Sequence, residues 1–244
     1  MRTYSIGTLE YDIDMGKLMN RRLKQFQCSL DVSSDESRRS VSVEIEAARD
    51  AELWMCATAE LVSKDIAHFE MARIINNFLI PIGQKQLALP QAVKSARTLK
   101  ISGRVRRMIA EHYKEYDHLN VEGFVRFKMR DILDAWALCA DRAVEEIILR
   151  SEYLELMDVL SEYVRSQPPK IRYISVILHP DGSCTLTDDS DSRIDCASCS
   201  DDSVLSLLIS LAPERITVYD LSGNSDSLLS EALMRVFVDR VHFF

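Results

Sequence analysis

Apolar and polar positions follow two different periods along this chain, and the switches between them divide it into three stretches. Near the N-terminus, residues 3–11 (TYSIGTLEY) mix apolar and hydroxyl side chains as strands do. The segment SVSVEIEA at 40–47 alternates cleanly and puts Val41, Val43 and Ile45 on one face. Between them Met15, Leu18, Met19, Leu23 and Phe26 recur at helical spacing. Residues 1–46 therefore predict a strand, a helix and a strand.

From Ala47 the period lengthens to that of a helix. Trp54, Thr58, Leu61, Val62, Phe69, Ala72 and Ile75 line one face of a helix that reaches about Phe78, where Pro81 and Gly83 stop it. Pro90 suits the first turn of the next helix, with Val93, Ala96 and Leu99 inward. Ser102-Gly103 interrupts again before a short helix over 104–116. Asn120 is a good N-cap, and Glu122 suits the positive end of a helix dipole. From there Phe124, Phe127, Met129, Ile132, Trp136, Cys139, Ala140, Ala143, Val144 and Ile147 predict one strongly amphipathic helix to about Arg150. Ser151 is placed to cap a second helical segment, which Pro168 and Pro169 end.

The last stretch changes period once more. IRYISVIL (171–178), a PDG turn and SCTLTDD predict a hairpin. SDDSVLSLLISLAP is a capped helix, and RITVYD, SDSLLSEALMRVF and RVHFF read as a right-handed parallel strand–helix–strand crossover. The fold class is mixed α/β (α+β). It has an N-terminal strand–helix–strand unit at 1–46, a helical region at 47–167 and a C-terminal β-β-α-β-α-β unit at 168–244. The three can equally form one compact domain, and the terminal strands can share one sheet or form two.

Composition narrows the class. Of 244 residues, 47% are apolar and 28% charged, which suits a folded core. There is no apolar run of eighteen residues to span a bilayer, and MRTYSIGTLEYDIDMGK lacks the apolar centre of a signal peptide. The expected location is the cytoplasm, where the six cysteines would be reduced. The net charge of −8 is unevenly spread. Lys94 to Arg130 holds ten Lys/Arg against four Asp/Glu, whereas Lys170 to Phe244 holds six against twelve. A basic middle between a near-neutral N-terminal flank and an acidic C-terminal one points to a partner or a self-contact, including a second copy of the chain.

The crowding of cations and aromatics in HLNVEGFVRFKMRD (118–131) is the sharpest local feature. On one continuous helix Arg126 and Arg130 share a face. With Lys128 and the preceding Arg104, Arg106 and Arg107 they make a candidate surface for an anion or an acidic partner. The competing reading pairs these arginines with Asp131, Asp134 or Glu122, or leaves them in solvent. Gly123 in the first turn has two explanations, close packing or an anion approaching the backbone N–H groups. Nucleic acid is a possible partner for the basic segment 94–130, although no recognised nucleic-acid motif is present.

Cys196-Ala-Ser-Cys199 has half of a zinc-site spacing, and His179 and Cys184 stand upstream of it. The second Cys-x-x-Cys pair is missing, so no metal and no cofactor is expected. The histidines are scattered, and neither Gly-x-x-x-x-Gly-Lys nor Gly-x-Gly-x-x-Gly occurs. No catalytic residue is nominated.

NVEGFVRFKMRDILDAWALCADRAVEEIILRSEYLELMDVLSEYVRSQPPKI, LISLAPERITVYD and VFVDRVHFF resemble the YtxC-like sporulation proteins of endospore-forming bacteria. The likeness is strong over residues 118–244 and weak before Pro90. It implies a setting in spore formation and brings no catalytic residue with it. The leading expectation is a non-catalytic accessory or scaffold protein acting through protein contacts. A module binding an anionic ligand or nucleic acid through segment 94–130 comes next, then an enzyme with an unrecognised small-molecule site.

Overall fold

The computed structural model describes residues 2–26, 30–181, 183–190, 192–194, 200–221 and 228–244. They cluster into two units, Met1–Ile148 and Leu149–Phe244. The architecture is α+β, with a separate mixed sheet in each unit.

In the first unit, β1 (Arg2–Gly7) runs antiparallel to β3 (Ser40–Ile45) and parallel to β4 (His118–Asn120), with β2 (Ser33–Ser34) on the outer side of β3. The register pairs Tyr4 with Val43 and Ile6 with Val41, so these apolar side chains share the buried face. Helix α1 (Met15–Gln25) starts at Asp14, whose carboxylate accepts from the Lys17 N–H at 2.8 Å. Helices α2 (Ala48–Glu60) and α3 (Ala67–Asn76) are joined without a break by a π-turn at Leu61–Ile66. Helices α4 (Ile82–Thr98) and α5 (Ser102–Glu115) follow. Trp54, Tyr113 and Trp136 are fully buried in one core with Ile6 and Val41, so residues 1–46 share a core with the helical region.

Several expected boundaries move. Pro90 lies inside α4, which begins after Pro81. The carbonyl that its missing N–H would have engaged belongs to Gln86, whose exposed position lets water take over. Leu99, expected inward, is exposed at the end of α4. Ser102 and Gly103 start α5 instead of interrupting the chain.

The stretch expected to be one helix from Asn120 is three pieces. A short turn α6 (Val121–Gly123) leads into a second π-turn at Phe124–Lys128, and Met129 leaves helical geometry at φ −115°, ψ 27°. Its carbonyl then accepts from the Ile132 and Leu133 N–H groups at 2.9 Å and opens α7 (Arg130–Ser166). That helix continues through Ser151, which lies in its interior instead of starting a second segment, to the edge of Pro168. Ile132 and Trp136 are buried as expected, and Ile147 only in part. The division between the two units falls within the sequence of α7.

The second unit carries a five-stranded sheet in the order β7-β6-β5-β8-β9. Strands β5 (Ile171–Leu178) and β6 (Cys184–Asp188) form the expected hairpin, and β7 (Arg193–Ile194) adds to β6. Strands β8 (Pro213–Asp220) and β9 (Val241–Phe243) are parallel to their neighbours, as the crossover reading requires. Helix α8 (Asp201–Leu211) is capped by Ser200, and α9 is Leu228–Val236. Ile174, Val176, Leu186, Ile216 and Val218 share a core with Leu208 and Leu233 of these helices and with Met157 and Val164 of α7.

Candidate contact surfaces

The sequence Asn120-Val-Glu-Gly-Phe builds a support before it builds a surface. The Asn120 side chain accepts from the Gly123 N–H at 2.7 Å, closing the first turn. A Cβ at residue 123 would stand 3.1 Å from that same Asn120 oxygen, so glycine keeps the cap uncrowded. The near atoms belong to the cap itself, so among the described residues no other element packs closely against Gly123.

Glu122 is buried and points at the segment after β1. Its Oε1 accepts from the Thr8 hydroxyl, from the Glu10 N–H at 2.8 Å and from the Leu9 N–H at 3.0 Å. Burial alone would push this carboxyl up. The Thr8 hydroxyl and the Glu10 and Leu9 N–H groups more than offset that and hold it below its ordinary value. Next to it, the Tyr11 hydroxyl donates to buried Glu70, which also pairs with Arg73 at 2.7 Å. Burial, followed by the hydrogen bond to Glu70, drives the Tyr11 phenol far above its ordinary value.

The cations nominated from sequence do not form one patch. Arg126 turns to Glu10 and donates through both terminal nitrogens, with Nη1 to Oε1 at 2.7 Å. The hydrogen bond to Glu10 raises the guanidinium above its ordinary value. Arg104 pairs with Asp131. Lys128 borders a cleft of about 200 Å³ that Glu111 and Glu115 also line. Arg106 stands about 200° round α5 from Arg104, away from that cleft. Among the described residues, Arg106, Arg107, Lys128 and Arg130 take part in no ion pair. Since the chain leaves helical geometry at Met129, Arg126 and Arg130 do not share a helix face.

Phe127 corrects the expectation most clearly. Helical spacing placed it inward with Phe124, yet it is 85% exposed while Phe124 is buried. A π-turn takes up an extra residue, so positions within it, Phe127 among them, rotate out of the spacing that an α-helix would give. The outcome is an outward aromatic ring between Arg126 and Lys128, on backbone anchored by buried Phe124 and Val125.

Sequence spacing missed a second surface, on the part of α7 in the second unit. Leu149, Leu156, Val159 and Tyr163 are each more than half exposed. At 100° per residue they fall within an arc of about 80°, and Glu152, Glu155 and Glu162 accompany them. The signal was available as a second apolar face on a helix whose other face carries buried Met157 and Val164.

Of the four residues with part of a zinc-site spacing, His179 and Cys184 are among the described residues. Cys196 and Cys199 lie outside the described residues. Cys184 pairs with Leu178 across the hairpin and shares its buried face, whereas His179, one residue on, binds Thr185 Oγ1 at 2.9 Å. Among the described residues no group of three His, Cys, Asp or Glu side chains is placed to hold a metal.

A polar cleft of about 300 Å³ lies where β5 and β8 begin, lined by Arg172, Glu214, Arg215, Asp239 and Arg240. Arg240 is already engaged, donating to the Pro213 carbonyl at 3.1 Å. Open parallel sheets bind ligands beyond the opposite, carboxyl ends of their strands.

No helix among the described residues is long and apolar enough to cross a membrane. Neither the curated proteins nor the solved structures contain a match to this chain. A protein-family model does match, over residues 68–242, which takes in the capped turn, the outward Phe127, all of α7 and the second sheet; the chain belongs to the YtxC-like family.

Proposed function

We propose that this protein is a non-catalytic accessory or scaffold protein of spore formation that acts through protein contacts. The observation that carries the reading is the exposed apolar stripe of Leu149, Leu156, Val159 and Tyr163. Large apolar side chains gathered on one face of a rigid helix are costly to leave in water, and such patches mark interaction sites. The spacing suits an amphipathic helix from a partner, packed along α7. The flanking Glu152, Glu155 and Glu162 favour a partner helix with basic edges. The outward Phe127, beside unpaired Lys128 and Arg130, offers a second anchor of the aromatic-and-arginine kind common at interface hot spots. The cytoplasm is the compartment consistent with this role, and membership of the YtxC-like family supports the sporulation setting.

Site-specific photo-crosslinking in sporulating cells tests it. A photoreactive residue at Leu156 or Val159 is expected to give a discrete protein adduct, and one at exposed Arg142 none. Adducts that fail to form at 156 and 159 throughout sporulation would contradict the reading.

A further inference from the structure

We propose that the first unit holds a binding site for a phosphate-bearing small molecule, in a cationic trough over the π-turn at Leu61–Ile66. This site is separate from the contact surfaces above. Two cavities of about 770 and 250 Å³ share Lys64, Val93 and Arg97 in their walls and so lie side by side along the trough. The larger cavity alone lies in the range of ligand pockets.

Five cations line it: Arg21 and Arg22 from α1, Lys64 from the π-turn, Arg97 from α4 and Lys100 just beyond that helix. The carboxylate in the lining is Asp65. It is buried, receives Arg21 Nη2 at 2.6 Å and Arg22 Nε at 2.8 Å, and can neutralise one of the two. Lys64 pairs with Glu60. Arg97 and Lys100 take part in no ion pair among the described residues. Three positive charges are thus left over: one of the Arg21–Arg22 pair, Arg97 and Lys100. Like charges gathered in one concavity repel, and a multiply charged anion relieves that repulsion.

Two further features favour a bound ligand over a merely solvated surface. Lys100 adopts φ 50°, the left-handed region where glycine would be relaxed, so a cationic side chain is kept at the trough at a cost in backbone energy. Arg22 is buried and held on Asp65 through two nitrogens, so its guanidinium is preorganised and loses little entropy on meeting an anion. Leu18, Phe69, Met71 and Val93 give the wall an apolar part beside the cations, and Ser63, His68 and Ser102 also line it. That combination suits clustered phosphates on an apolar or aromatic body. A nucleoside polyphosphate and a phospholipid headgroup with its chains share this chemistry.

The test uses the purified full chain with pyrophosphate, with ATP and with phosphatidylglycerol vesicles. At least one probe is expected to bind saturably and to weaken as salt rises, since the phosphate contacts are ionic. The Arg97→Glu/Lys100→Glu double variant is expected to lose roughly tenfold or more of that affinity. Both residues are exposed and unpaired, so its thermal midpoint should match that of the parent chain. A Lys128→Glu/Arg130→Glu control should bind as the parent does. Binding of pyrophosphate or ATP assigns the phosphate to a soluble ligand, and binding of vesicles alone assigns it to a headgroup. Absence of binding to all three probes would overturn the proposal. So would binding that the trough variant leaves intact.

Discussion

Among the described residues the first unit contains two π-turns, and each stands beside a buried carboxylate whose partners are of a different kind. At Leu61–Ile66 the carboxylate is Asp65, and its partners are the charged guanidinium groups of Arg21 and Arg22. At Phe124–Lys128 it is Glu122, and its partners are neutral: one hydroxyl and two backbone N–H groups. The first arrangement leaves surplus positive charge in a trough. The second fixes a loop and sends Phe127 outward. The same local device therefore serves an electrostatic end in one place and a steric end in the other, according to what the carboxylate finds to bind.

The comparison can be broken one partner at a time. The largest loss is expected from Asp65→Ala, which strands buried Arg22 without a counter-charge. Breaking a buried pair costs about 3 kcal/mol or more, and a clearly lowered thermal midpoint would show it. Glu122→Ala removes hydrogen bonds from neutral donors and strands no buried charge, so it should cost less, about 2 kcal/mol. A Glu122→Ala midpoint below that of Asp65→Ala would reverse the ranking and the argument behind it.

Acid sharpens the distinction. Glu122 titrates below its ordinary value in the folded state, so its contribution is complete above the ordinary glutamate value of 4.5. That contribution is lost as pH falls through the lower, folded value. The stability gap between the parent chain and Glu122→Gln should be constant at neutral pH and close on acidification, as read by chemical denaturation. A gap that widens in acid would contradict the assignment. The smallest effect belongs to Arg126→Ala. Its pair with Glu10 is exposed on both sides, so the midpoint should barely move.

Much of the fold was legible because period carries it. The alternation at Val41, Val43 and Ile45, the hairpin at 171–188 and the parallel crossover after Pro213 all follow from where side chains must point to be buried. The Asn120 cap was legible for the same local reason. What periodicity could not supply was the geometry of a π-turn. One extra residue per turn leaves no mark in composition, so Phe127 was placed inward and Arg126 was aligned with Arg130. The partners of Glu122 and Arg126 lie more than a hundred residues away in sequence, and Asp65 meets arginines of a helix forty residues earlier. Such pairings depend on tertiary packing, which a local reading does not reach. Pro90 went wrong differently: its preference for a first turn is real, but an exposed helix interior tolerates it.

The proposed function has this protein work by offering the apolar face of α7 to another protein. The most direct measurement is spore yield in an endospore-forming host that lacks the gene and carries the Leu156→Glu/Val159→Glu variant. Both side chains are exposed, so the purified variant should keep the parent's stability to within about 0.5 kcal/mol per site. The expected result is a stable, normally accumulated protein that fails to restore spores. Full spore yield from that variant would contradict it.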